Sequence, residues 1–279
     1  MLRLFIFSLT LGGGVIAPLF GQGGLRGNGS NGDEEVFLAS TKQVNQFFRR
    51  FNGEEDPSGN KYLISDKKFR SFKIRKAYLP LLIDPAVAKG QESLIDDFYE
   101  TVNDKKQPYY LDNHKDDWTA EVNCSFSYKG QQEDVALLMK LQPQGQGYEW
   151  VIEDVDAGFI SSRFEKDNSE SKPFIHPMSH ELDFMNLNKA FRKANNPESY
   201  TLDNFRPDPL SVFLYEMKMG ELKFNSVRSV RFHFFSTPGW YFEISEYNRP
   251  GLPSGWLISN LVRATDDQKD QIRDYVYGR

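Results

Sequence analysis

The chain holds one cysteine, Cys124, in 279 residues, so no internal disulfide can form and stability must come from burial. A lone thiol of this kind reads as a small buried hydrophobe. Long apolar runs are scarce too. The run from Leu4 to Phe20 is broken by Gly12-Gly13-Gly14 and is shorter than the ~20 apolar residues a membrane span needs. Positive charge is not in excess: 34 Lys and Arg against 39 Asp and Glu leave a net charge of -5, without the electrostatic footprint of a nucleic-acid binder. Catalytic signatures are missing as well. There is no Gly-x-Ser-x-Gly elbow, and no glycine loop follows a strand and opens a helix to cradle phosphate.

What is present is apolar and aromatic residues, 39% and 14% of the chain, enough for two cores in a length that exceeds a comfortable single one. Residues 1–22 have the pattern of a secretory signal: Arg3 at the start, the apolar run Leu4 to Leu11, and the small-residue exit Gly21-Gln22-Gly23. Export to the periplasm or the outside is therefore expected, with no stable membrane anchor once the signal is removed. Residues 23–35 are a glycine-rich leader.

The rest of the chain repeats itself. Trp150-Val151-Ile152 aligns with Trp256-Leu257-Ile258, and Asp154 with Asn260. Upstream, 44–52 aligns with 187–195, with Asn45, Phe48, Arg49 and Asn52 matching Asn188, Phe191, Arg192 and Asn195. Phe98-Tyr99-Glu100 aligns with Leu214-Tyr215-Glu216. Three matches in the same order read as an internal duplication. The first copy is longer between its helix and its tryptophan, so it carries an insertion within 60–115. The expected organisation is a first domain over 36–157, a linker over 158–179, a second domain over 180–264 and a charged tail over 265–279.

Periodicity supplies the elements. Val44, Phe47, Phe48 and Phe51 form one face of a helix ended by Asn52-Gly53. Further helices are expected over 66–82, where Phe69, Phe72, Ile74 and Tyr78 are apolar, and around Leu94 to Val102. From Trp118 to Tyr128 apolar and polar residues alternate without a break, a half-buried strand. Strands at 135–142 and 148–155 complete an antiparallel meander. In the second copy Ser179 should cap a helix carrying Leu182, Phe184, Met185, Leu187 and Phe191, and a helix with Leu210, Phe213, Leu214 and Met217 follows. Strands at 227–235, 240–247 and 256–262 then repeat the meander, and the tail holds one short helix.

The fold class this implies is α+β: two tandem domains, each of N-terminal helices packed on a curved antiparallel sheet. That order of elements resembles the nuclear transport factor two-like superfamily, cone-shaped α+β domains that include ketosteroid isomerase and scytalone dehydratase. A cystatin-like helix and meander gives a similar string. The cone resemblance implies a pocket at the open end of each cone and pairing through sheet faces, hence a homodimer. It implies no activity, because function belongs to the site and not to the fold.

Several residues are candidates for chemistry. Asp154 is expected on one strand face with Trp150 and Ile152, where apolar surroundings would suit a general base, with Tyr99 or Tyr148 as the hydrogen-bond donor of an isomerase-like site. The plainer reading is a strand-end acid facing water. His176 and His180, with Glu181 and Asp183, are the densest cluster of metal-ligand types, but Pro177 interrupts the helix that would align the two rings, and capping accounts for them. His114 reads as solvated, and His233 sits in a strand with no acid or nucleophile near it in sequence. Trp150, Trp256, Tyr99 and Tyr215 are the ligand-pocket candidates, the tryptophans as stacking platforms for a sugar or peptide. Core packing alone also explains them, since a buried tryptophan removes ~200 Å² from water, worth about 5 kcal/mol.

The function expected from these readings is an exported, non-catalytic protein binding a small molecule, glycan or protein, with no cofactor and no nucleic acid. The alternatives are an isomerase or dehydratase using an acid in the first domain, and an envelope assembly component.

Overall fold

The first helix follows from its stripe. Residues 44–52 form α1, with Val44, Phe47, Phe48 and Phe51 all buried. Gly53 ends it at φ 70°, and a Cβ there would meet Arg75 Cγ at 2.8 Å, so backbone and space both demand glycine. The computed structural model describes residues 44–278, apart from 57–58, 165–173, 186, 194–196 and 249–254. The expected signal, leader and the residues before α1 lie outside the described residues.

After α1 come α2 (Phe72–Tyr78), which continues into a 3-10 turn over Leu79–Leu82, and α3 (Pro85–Ala88), capped by the Asp84 carboxylate accepting from Ala86 N at 3.1 Å. α4 (Glu92–Val102) buries Ile95, Phe98 and Val102, as its spacing predicts. The helix expected over 66–82 begins only at Phe72, because Arg70 adopts φ 55° and turns the chain. The fully buried side chain of α2 is Arg75. Its Nε donates to Phe51 O at 3.0 Å, Nη2 to Tyr109 O at 2.7 Å and Nη1 to Asn103 Oδ1 at 3.3 Å. It holds three segments together through their polar atoms, and burial brings its pKa down to about 10.

The strands are β1 (Trp118–Tyr128), β2 (Gln131–Gln144) and β3 (Gly147–Asp156), followed by the short helix α5 (Gly158–Ser161). Then come α6 (Leu187–Lys193), α7 (Pro209–Lys218), the strands β4 (Leu222–Phe234), β5 (Trp240–Tyr247) and β6 (Gly255–Arg263), and α8 (Asp266–Val276). Among the described residues the six strands belong to one antiparallel sheet, in the order β3-β2-β1-β4-β5-β6. The two meanders exist as expected, but they do not close into separate domains. β1 pairs with β4 along its whole length, from Trp118 opposite Phe234 to Tyr128 opposite Leu222. Joining the two first strands satisfies backbone edges that separate sheets would leave open.

One core cluster spans both halves: Phe47, Phe48 and Phe51 of α1 and Phe98 of α4 lie with Trp118, Phe232, Phe234, Phe242 and Trp256 of the sheet. Residues Thr41–Arg279 form one compact unit. The architecture is thus mixed α+β around a single sheet, and two tandem domains are not shown.

The C-terminal half departs most from expectation at its start. Pro177–Leu182 is a 3-10 turn capped by His176, not a helix capped by Ser179, and Asp183 and Phe184 adopt φ 48° and 55°. Two consecutive left-handed residues end the turn before α6. Leu182, Phe184, Met185 and Phe191 are consequently exposed, whereas Phe48, the counterpart of Phe191, is buried. In α7 only Phe213 of the expected stripe is fully buried, edge-on to Phe126 at 5.3 Å. On the opposite sheet face lies α8, with a complete capping box between Thr265 and Gln268. Its Ile272 packs on a second small core of Phe235, Tyr241 and Ala264. Among the described residues no helix is long and apolar enough to cross a membrane.

Candidate functional site

At one end of the sheet, α1 and the β5–β6 pair enclose a cavity of about 480 Å³. Gln46 and Arg50, one turn apart on α1, form one wall, and Glu246, Asn248 and Trp256 form the other, with Leu82 beneath. Glu246 and Trp256 are cross-strand partners, so their side chains leave the same sheet face, the one α1 covers. The Trp256 ring is held edge-to-face on Phe232, centroids 5.0 Å apart, and is only 5% exposed. Its indole Nε1 is buried and has no hydrogen-bond acceptor among the described residues. Leaving such a donor unpaired costs about 1–3 kcal/mol.

The neighbouring charges are ordered. Glu55 is fully buried, with Arg49 Nε at 2.9 Å and Arg50 Nε at 2.8 Å on its two oxygens. Two guanidiniums share one carboxylate, which leaves positive charge at the α1 wall.

A second polar centre lies on the other sheet face, under α8. His233 Nε2 is 2.9 Å from Glu121 Oε2, and its Nδ1 is 2.7 Å from the Tyr241 hydroxyl, which donates to Glu243 Oε1 at 2.7 Å. Arg231 Nη2 and Asn123 Nδ2 donate to Glu121 Oε1 at 2.7 and 2.8 Å, and Asn260 Nδ2 donates to Glu243 Oε1 at 3.0 Å. Burial opposes ionisation of Glu121, but hydrogen bonds from His233 and Asn123 and the Arg231 charge outweigh it and hold its pKa at about 2. Burial, then the Glu243 carboxylate, push Tyr241 far above the usual phenol range. An ionised Glu121 can only accept, so Nε2 of His233 carries a hydrogen. The network stitches four strands together, and its residues do not line the cavity beside Trp256.

Sequence reasoning set His233 aside because its partners are distant in the chain. A signal was nonetheless present. Arg231 and His233 on β4, and Tyr241 and Glu243 on β5, recur at period two on the strand face opposite the aromatic one.

The expected isomerase-like set does not assemble. β3 has a bulge at Glu153: Ile152 pairs with Met139, but Asp154 pairs with Leu138, which faces Glu121. The extra residue turns Asp154 to the His233 face, away from Trp150 and Ile152. Asp154 is 6% exposed and accepts from Val155 N at 2.8 Å. Tyr148 is at the far end of β3, six residues away or ~20 Å along a strand, half exposed and stacked on His114 at 4.0 Å. Tyr99 is half-buried on α4 beside Phe98, on the helix side of the sheet. Tyr215 is 61% exposed on α7.

Trp150 is half-buried, packed on Trp118 at 5.2 Å and Phe232 at 6.2 Å, so both repeated tryptophans meet the same phenylalanine within one core. His176 accepts from Met178 N at 3.1 Å as a cap, and His180 contacts Pro177 O at 3.0 Å and Glu181 at 3.2 Å. Among the described residues no group of three or more metal-ligand side chains converges.

The fold and cavity define an α+β protein with a polar-walled cleft at the end of its sheet. Comparison of the chain with protein-family models, curated proteins and solved structures returns no match.

Proposed function

We propose that the chain is an exported, non-catalytic binding protein, built from two duplicated halves, that holds a small molecule in the cavity between α1 and the β5–β6 end of the sheet. One observation carries this reading: the cavity of about 480 Å³ is lined together by polar and charged side chains of α1 and of the β5–β6 end, Gln46, Arg50, Glu246 and Asn248, beside the apolar Phe47, Leu82 and Trp256. A concave site with a few polar groups set among apolar ones is the usual setting for a small ligand. The isomerase-like alternative loses its support, because the acid it needs stands on the opposite sheet face from the aromatic core.

A thermal-shift screen of the chain against glycans, lipids, peptides and small metabolites tests the reading. At least one compound should raise the midpoint, and Trp256→Phe should reduce that rise. Stabilisation by nothing in the screen would overturn it. Export is tested separately by fractionating cells that express the full chain, which should yield a shortened product outside the cytoplasm.

A further inference from the structure

We infer that the open length of β4, from Leu222 to Val230, takes an acidic, extended segment of a partner protein as an added strand. The site is separate from the cavity beside Trp256. β4 pairs with β1 from Leu222 to Phe234, but with β5 only from Arg231 to Phe234. Among the described residues, Leu222 to Val230 therefore has a neighbouring strand on one side only, and Lys223 to Ser229 are all exposed. Backbone groups left open along a strand are a template for another chain, and a segment that adds there gains main-chain hydrogen bonds whatever its sequence.

The two faces of this length differ, which sets the chemistry of its occupant. Phe224 and Val227 lie opposite Phe126 and Cys124 of β1, on the face toward the helices, and are 38% and 42% exposed. α7 does not seal them: its Phe213 is seated on Phe126, and the next apolar residues of the helix, Leu214 and Met217, stay exposed. On the other face Lys223 lies opposite Ser127, and Arg228 reaches Asp134, 2.7 Å away and itself opposite Ser125. Lys223 forms no ion pair among the described residues, and the Arg228–Asp134 pair is exposed at both partners, so it is weak and open to exchange. Leu222 to Val230 carries these two cations and no acid, in a chain of net charge -5. Both charges guard the edge against a second copy, whose own Lys223 and Arg228 would be brought against them. The bulges at Asn225 and Arg228 twist this length, which suits a free peptide that can follow the twist and not a rigid sheet edge. The fitting strand has acids on the Lys223 face and apolar residues beside Phe224 and Val227.

Fluorescence anisotropy of the full chain with short labelled peptides in which glutamate alternates with valine, isoleucine or leucine tests the inference. The controls are the same peptides with lysine for glutamate, and with alternate backbone nitrogens methylated in one frame or the other. At least one acidic peptide should bind. Lysine for glutamate should weaken it more than tenfold, as should methylation in the frame that pairs, and hydrogen exchange in the complex should slow across 222–230 while the outer strand β3 is unchanged. Lys223→Glu combined with Arg228→Glu should weaken the acidic peptide more than tenfold and strengthen the lysine one. Both residues are exposed, and a retained cooperative melt certifies the fold of the variant. Silence of every acidic peptide, equal binding of acidic and basic ones, or protection that falls elsewhere would overturn the inference. So would a free chain that sediments as a dimer with 222–230 already protected, which would give the edge to a second copy. None of these outcomes bears on the cavity, whose small-molecule reading is tested by the thermal-shift screen.

Discussion

His233 Nε2 and Glu121 Oε2 lie 2.9 Å apart although 112 positions separate them in the chain. The pair forms because β1 and β4 lie side by side, and it crosses the line along which the sequence repeats. It therefore ties the halves together by a hydrogen bond to a buried carboxylate, in addition to their shared aromatic core.

That coupling has a pH signature. The Glu121 pKa falls from 4.5 to about 2 on folding, so its contribution is fully present above 4.5 and is lost as pH drops toward 2. At 1.36 kcal/mol per unit the contribution is on the order of 3 kcal/mol. Glu121→Gln should lower stability at pH 7 by about that amount, since it leaves His233 and Arg231 without their carboxylate. The variant's urea midpoint should also fall less than the parent's between pH 5 and pH 3. Parallel loss in both proteins over that window would remove Glu121 as the cause.

Strand β1 was legible residue for residue, and β5 likewise, because a half-buried strand writes its two faces into alternate positions. The stripe of α1 was legible for the same reason at helical period. Pairing between β1 and β4 was not, since periodicity reports which face is buried and not which strand lies alongside. Reading the repeat as two domains assumed that a copied meander closes on itself, whereas these two close on each other. Asp154 was misplaced by a single residue: strict alternation put it beside Trp150, and the bulge at Glu153 moved it to the other face. The left-handed backbone at Asp183 and Phe184 likewise has no glycine to announce it.

Gly53→Ala should be costly for its size. The position has φ 70°, and the added Cβ would stand 2.8 Å from Arg75 Cγ, on a side chain fixed by three hydrogen bonds. Strain and displacement together predict a loss of about 2–3 kcal/mol in chemical unfolding. Gly130→Ala, also at positive φ but with open space around the new Cβ, should cost less, about 1 kcal/mol. Equal losses would mean that the Arg75 contact is irrelevant.

The terminal helix should loosen first when its start is weakened. Thr265 accepts from Gln268 N at 3.4 Å, and its own N–H donates to Gln268 Oε1 at 2.9 Å. Thr265→Ala should cost about 1 kcal/mol. The loss should be local, because the cap acts on the backbone of α8 while its side-chain tethers leave the ladder of the sheet untouched: Ile272 on the Phe235 and Tyr241 cluster, Lys269 Nζ on Thr237 O at 2.7 Å, Arg273 paired with Asp117 and lying over Phe235, and the Tyr277 hydroxyl on Thr119 and Glu153. Hydrogen exchange in the variant should accelerate across 266–276 and leave β1 protected. Uniform acceleration would show instead that α8 unfolds only with the sheet.

Deleting Glu153 gives the most direct check on the register of β3. Glu153 is the unpaired residue of the bulge, so without it Ile152 would still face the helices, Asp154 the His233 side and Val155 the core, and the strand would become regular. The losses are the Tyr277 hydroxyl contact and the ion pair with Lys140 at 3.6 Å, together about 1–2 kcal/mol. Deleting Val151 removes a residue from the regular part of the strand and must invert Trp150 or everything after it, which should cost far more. Urea titration of both deletion variants, read by tryptophan fluorescence, separates the cases. The Glu153 deletion should keep the emission maximum of the parent, because Trp150 stays against Trp118 and Phe232. A red-shifted maximum in that variant would mean that Glu153 is paired in the strand and that Asp154 stands on the aromatic face after all.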